Sequence, residues 1–258
     1  MNYKIVTVSL IVAMLTTGCI QQKKTSYSYY STINTINGRV VDGYLDDATV
    51  CIDLNRNGKC ETNEPSAKTD SDGKFSLSYS TDINPVDIIL IAYGGVDIST
   101  NKSFVGFLES VGADNGVNIT PLTTVVSKLQ NKGLSKEEAI QKVANLFGVN
   151  ADDIFKDPIK LAKDGNIELL KSNIEFEKVV EALASKQDIK DALNELTDKI
   201  KTNSSLKDAI DNLGDANLSN KLNELLDDIK SITDDNINKY IKKADELKDQ
   251  IVNKLKNL

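Results

Sequence analysis

Between Asp53 and Glu64 the chain reads DLNRNGKCETNE, with an acidic or amide side chain at the first, third, fifth, ninth and twelfth positions. Glycine, Gly58, stands at the sixth. Oxygens carried on alternate residues of a tight loop can turn inward together, and a hard cation such as calcium takes about six to eight of them. Asp53, Asn55 and Asn57 would supply side-chain oxygens, and Lys59 only its backbone carbonyl. Glu61 would bind directly or through water, and Glu64 would close the shell with both carboxylate oxygens. Gly58 permits the sharp reversal in the middle. Arg56 and Lys59 point outward in such a loop and lower its negative charge, which weakens the affinity.

This order of ligands is that of an EF-hand calcium loop. The preceding ATVCI, however, reads as a β-strand, so the loop must sit outside any helix–loop–helix. An Asx-rich turn between strands is the simpler reading of Asp, Asn and Gly here. A match at every ligand position, with the terminal glutamate in place, favours a structural Ca2+. Cys51 stands just before the loop and Cys60 inside it. Two cysteines without histidine do not make a zinc site, and their spacing is not C-x-x-C, so they are expected to form a structural disulfide. Other Asp/Asn clusters, VGADNG and TDDN, lack the register and read as loops.

Composition narrows the remaining chemistry. The 258 residues contain no histidine and no tryptophan. That excludes histidine-based triads and most zinc or iron sites. A net charge of −7 without any concentration of basic residues argues against nucleic acid as a partner. No nucleophile motif, paired-carboxylate signature or phosphate loop is present, and the abundant Asp and Glu read as solvated helix faces. A non-enzymatic role is expected, with a carboxylate-based hydrolase as the outlying alternative.

The N-terminus indicates export. MNYK is a short positive region, and IVTVSLIVAML is an apolar stretch too short for a membrane-spanning helix. It runs into LTTGC, which resembles a bacterial lipobox. The resemblance implies cleavage after Gly18 and lipidation of Cys19, with Leu15 one place further from the cysteine than usual and Thr16 in its position. Loss of residues 1–18 removes one lysine and leaves a charge of −8. Ile20 permits outer-membrane sorting under the rule known for enteric bacteria. Cell-envelope location, lipid-anchored and more readily outer than inner membrane, is the expectation. Residues 19–35, polar and Ser/Thr-rich, read as a flexible tether.

Two kinds of structure must hold the loop in place. Residues 36–119 carry short β-branched runs broken by Gly and Asp. AKTDSDGKFSLSYS offers a turn at Asp72–Gly73 and then a strand with Phe75, Leu77 and Tyr79 on one face. VDIILIAYGG is a nearly continuous apolar run, as a central, doubly buried strand requires. These suggest a small antiparallel β-sandwich. From residue 120 to 258 the period becomes helical. Thr120 caps a helix begun by Pro121 and stopped at Gly133, and Ser135 with Glu138 forms a capping box for the next, which ends at Gly148. Ile189, Leu193, Leu196 and Ile200 form an apolar stripe, as do Leu218, Leu222, Leu225 and Ile229. A third runs from Ile237 through Ile241, Ala244, Leu247 and Ile251 to Leu255. The fold class is therefore α+β, a small N-terminal sandwich followed by a C-terminal helical bundle.

GRVVDGYLDDATVCIDLNRNGKCETNEPSAKTDSDGKFSL resembles the serine–aspartate-repeat B-type and carboxypeptidase-regulatory-like modules of bacterial exported proteins. The shared features are DGYL, A-x-V, the D-x-N-x-N-G loop, EP and the TD-x-D-G-x-F hairpin. The resemblance implies a calcium-stabilised β-sandwich used as a stalk, spacer or adhesive module, with Asp53, Asn55, Asn57, Lys59, Glu61 and Glu64 as ligands. The two cysteines depart from staphylococcal relatives. NITPLTTVVSKL and SKEEAIQKVANLFGV resemble the segment following this module in proteobacterial surface lipoproteins. The expected function is a lipid-anchored adhesion, scaffold or protein-interaction factor meeting a protein or glycan. The alternative is an envelope receptor whose helical domain holds a small ligand.

Overall fold

A computed structural model describes residues 32–112, 116–233 and 236–256. The expected signal peptide, the expected lipidation site Cys19 and most of the expected tether lie outside them. Strands come first and helices after, and Thr32–Leu258 forms one compact unit.

The ten strands are β1 (Ile33–Val40), β2 (Leu45–Asp46), β3 (Thr49–Ile52), β4 (Ser66–Lys68), β5 (Lys74–Ser80), β6 (Ile89–Tyr93), β7 (Val96–Asp97), β8 (Lys102–Ser103), β9 (Phe107–Val111) and β10 (Val117–Ile119). They form three small sheets, ordered β10-β1-β5, β2-β7-β8 and β4-β3-β6-β9. In β5 the alternation reads as expected, with Phe75, Leu77 and Tyr79 buried and the residues between them exposed or half-exposed. β6 is flanked by β3 and β9, so its run of apolar residues is buried on both faces. Ile36, Leu77, Val50, Leu90 and Leu108 belong to one core shared by the first and third sheets.

The expectation of purely antiparallel pairing fails at one place. β10 runs parallel to β1, with Gly38 opposite Val117 and Val40 opposite Ile119. A parallel pair needs a long crossover, and here nearly the whole β-part lies between the two strands.

Eight helices are present among the described residues. They are α1 (Pro121–Asn131), α2 (Lys136–Phe147), α3 (Pro158–Lys163), α4 (Glu168–Leu183), α5 (Ile189–Thr202), α6 (Leu206–Asp211), α7 (Ala216–Lys230) and α8 (Ile237–Leu255). Thr120 caps α1 and Ser135 caps α2, the latter in a reciprocal bond with Glu138. Gly148 ends α2 in the left-handed conformation. The three apolar stripes feed a second core around α4, which packs against α1, α3, α5, α7 and α8.

The two parts are joined through β9 and α1. Thr123 Oγ1 donates to the Glu109 carbonyl at 2.7 Å, and Thr124 Oγ1 accepts the Glu109 N–H at 2.8 Å. The buried Glu109 carboxylate pairs with Lys128. Burial pushes that carboxyl upward, and the lysine partly offsets the shift. A second link has Arg39 on Asp157 at 2.5 Å, with Tyr44 sharing the same carboxylate oxygen.

Candidate metal site

The loop from Asp53 to Glu64 connects β3 to β4 and is held at its base by both sheet and sulfur. Asp53 N–H donates to the Ile89 carbonyl at 2.9 Å, and Ile52 N–H to that of Pro65 at 3.0 Å. Cys51 and Cys60 form the expected disulfide, with Cα atoms 5.8 Å apart.

Inside the loop, side chains organise the backbone. Asp53 is buried; its Oδ1 accepts from Asn57 N–H at 3.1 Å and its Oδ2 from Gly58 N–H at 2.7 Å. Asn55 Oδ1 takes Asn57 N–H at 3.0 Å, and Asn57 Oδ1 takes Lys59 N–H at 2.8 Å. Two consecutive turns of this kind coil the chain tightly. Gly58 has φ +68 and Arg56 φ +57. The second is a left-handed conformation that costs a residue with a side chain of order 1 kcal/mol.

The coiling brings Asn55, Asn57 and Glu61 together, since both amide nitrogens donate to the Glu61 carboxylate at 3.0 Å. Glu64 is placed differently from a simple closing ligand. Its Oε1 accepts Leu54 N–H at 2.8 Å and its Oε2 accepts Glu61 N–H at 2.9 Å, so it ties the two ends of the loop. Each carboxylate or carbonyl oxygen engaged by one N–H keeps a further lone pair for a cation. Three carboxylates and two amide oxygens fit a hard cation by donor type. Among the described residues no three His, Cys, Asp or Glu side chains form a metal cluster by themselves. Any cation site here therefore depends on the amides.

One residue of this site has no signature in the sequence around the loop. Lys190, on α5, reaches the Gly58 carbonyl at 2.7 Å and lies over the Phe107 ring, 5.4 Å from its centroid. It seats the loop on the helical part and adds a positive charge beside Arg56 and Lys59. Arg56 itself meets Asp87 only at 4.0 Å with both side chains exposed, a pair that contributes little. Lys190→Met should remove one charged hydrogen bond, about 1 kcal/mol, and lower the melting temperature by about 2–4 °C. An unchanged melting curve would show that other contacts hold the loop against α5.

No protein-family model matches the chain, and no curated protein or solved structure matches it significantly. No helix of the described residues is long and apolar enough to cross a membrane.

Proposed function

We propose that this chain is a lipid-anchored envelope protein whose β-part is a calcium-stabilised sandwich module, and that it serves as a non-enzymatic adhesion, scaffold or protein-interaction factor. The reading is carried by the Asp53–Glu64 loop, with its ordered oxygens and its cross-linked base. A surface loop of this kind leaves no open substrate position, so calcium would act as a tie within the structure. The core shared by the first and third sheets supports a sandwich of the carboxypeptidase-regulatory-like kind, and the helices around α4 support a bundle. The leader ending in LTTGC supports attachment through Cys19 to the outer membrane, where the folded part would meet a protein or glycan.

Two measurements test this reading. Cys19→Ala should move the protein out of the membrane fraction or leave an uncleaved precursor, and mass spectrometry of the wild type should find lipid on Cys19. An unmodified N-terminal residue other than Cys19 would overturn the anchor. Calorimetric titration with calcium should give one weak site, in the range of about 10⁻⁴ to 10⁻³ M typical of extracellular modules. Absence of binding heat would reduce the loop to an Asx-rich turn.

A further inference from the structure

The first and third sheets end at β10, β5, β4 and β9, and three of these edges are covered or guarded. Along β9, α1 closes the edge, with Thr123 and Thr124 bonding the Glu109 backbone. All three residues of β10 are buried. β4 is only three residues long, follows Pro65 and ends at Lys68, which pairs with Asp47. Short length, proline and lysine keep other chains off an edge. β5 has none of these devices. From Phe75 to Ser80 it carries no proline, no charge and no bulge in its register with β1.

The pairing with β1 fixes which backbone groups β5 leaves free. Thr81 N–H donates to the Thr32 carbonyl at 3.0 Å, and Val40 N–H to that of Gly73 at 2.8 Å. In an antiparallel pair, bonded and non-bonded residues alternate. With Ile36 opposite Leu77 and Gly38 opposite Phe75, the bonds to β1 fall on Phe75, Leu77 and Tyr79. Ser76, Ser78 and Ser80 therefore turn their N–H and C=O groups away from β1. The Ser80 carbonyl takes the Ile83 N–H at 3.1 Å. The three N–H groups and the carbonyls of Ser76 and Ser78 have no backbone partner on that side among the described residues. Lys74 ends the free stretch, tied to Asp70 through both its N–H and its carbonyl at 2.9 Å.

This stretch is complementary to itself. Two β5 edges brought together antiparallel, about a two-fold axis at Ser78, place Ser78 opposite its counterpart and Ser76 opposite Ser80 of the other copy. Each is a bonded pair, in which both N–H groups find carbonyls. Leu77 then faces Tyr79 across the junction, so the apolar inner face continues from one copy into the next. Lys74 of each copy comes opposite Asp82 of the other, and both residues are exposed. The present partner of Lys74 is Asp72, in an exposed pair that contributes little. Between these charged ends the outer face brings only serines together.

We propose that β5 is a docking edge for a second copy of this chain, joining two β10-β1-β5 sheets into one across a two-fold axis at Ser78. Main-chain hydrogen bonds supply the attraction, as in other strand-addition contacts. The Lys74–Asp82 pairs select this register, and the two-fold makes each occur twice. A contact confined to one strand is small, so the dimer forms and separates with concentration. The pairing depends neither on calcium in the loop nor on the lipid anchor.

Sedimentation of the full chain in non-ionic detergent, at physiological salt, tests it. A monomer–dimer equilibrium that shifts with concentration is expected. Ser78→Lys sets two lysines directly opposite on the axis and should abolish the dimer. Ser78 is exposed, so the same change leaves the pairing with β1 intact. Lys74→Glu and Asp82→Lys should each weaken the dimer about tenfold, and the two combined in one chain should restore it. Amide exchange of the wild type needs no variant to fold. The N–H groups of Ser76, Ser78 and Ser80 should exchange more slowly as the concentration rises. A monomer at every concentration, a dimer indifferent to Ser78→Lys, no rescue by the double variant, or serine amides that stay unprotected would overturn the proposal. Protection of those amides only by a peptide from another protein would assign the edge to a different chain and overturn it as well.

Discussion

Acidifying this protein from about pH 7.5 to about pH 5 should raise its melting temperature, the reverse of the usual carboxylate response. The cause lies in carboxyls that burial holds above their ordinary range. Asp42 is pushed up to about 6 against 3.8 and Glu175 to about 7, and burial holds Glu177 well above its ordinary range too. Between the unfolded and folded values, the folded chain binds a proton that the unfolded chain does not, so lowering the pH favours folding. Above the folded values both states are ionised and the folded state carries the full cost. At about 1.36 kcal/mol per pH unit, Asp42 accounts for at most about 3 kcal/mol, shared with Glu177 because the two titrate together. Below about pH 4 the sign reverses. Burial acts against ionisation of Asp245 and Asp249, but their lysine partners outweigh it and hold both low, as Ser135 holds Glu138, and protonation then removes stability. Asp42→Asn should raise the melting temperature at neutral pH and flatten the rise on acidification, whereas Asp227→Asn should leave the profile intact. A melting temperature that falls steadily from pH 7.5 to pH 5 would refute this account.

Removing calcium and reducing the disulfide together should destabilise the β-part far more than either treatment alone. At about millimolar calcium and a Kd near 10⁻⁴ M, binding contributes roughly 1.4 kcal/mol. Closing a loop of about ten residues through Cys51–Cys60 contributes roughly 2.5 to 3 kcal/mol in the chain-entropy view. Both restrain the same short segment, so each masks loss of the other. Chelator alone should shift the melting temperature modestly, and chelator with reductant should shift it much more. Glu64→Gln goes beyond mimicking chelation. It removes the charge and leaves one acceptor oxygen for the two N–H groups of Leu54 and Glu61, so it should destabilise the oxidised protein even in chelator. Identical melting of the oxidised protein in calcium and in chelator would remove calcium from the account.

How far the sequence revealed the fold depended on the range of each interaction. Thr120, Ser135, Glu138 and Gly148 act on residues within one turn of themselves, and they mark helix ends where the structure has them. The alternation in β5 and the apolar run of β6 were equally local. The parallel β1–β10 pair was not legible, because Val117–Ile119 is as short and apolar as any edge strand and its partner lies far back in the chain. The role of Lys190 was not legible either, since its partner at Gly58 is 132 positions away. Glu177 and Lys178 did carry a faint signal. They stand among Ile174, Phe176, Val179 and Val180, where charges must find partners, yet nothing local named Asp42 or Asp245 as those partners.

The parallel pairing of β1 and β10 also determines how this molecule would bear a pull. β1 follows the N-terminal segment, and β10 leads directly into α1 and the rest of the helices. A chain held at its N-terminus and loaded in the helical part draws these neighbouring strands in opposite directions along their length. Their hydrogen bonds are then loaded side by side and must give way together, instead of opening one at a time from an end. Tension is thus met by the paired β1 and β10 strands, and the Asp53–Glu64 loop, which lies between them in the chain, is bypassed while that pairing holds.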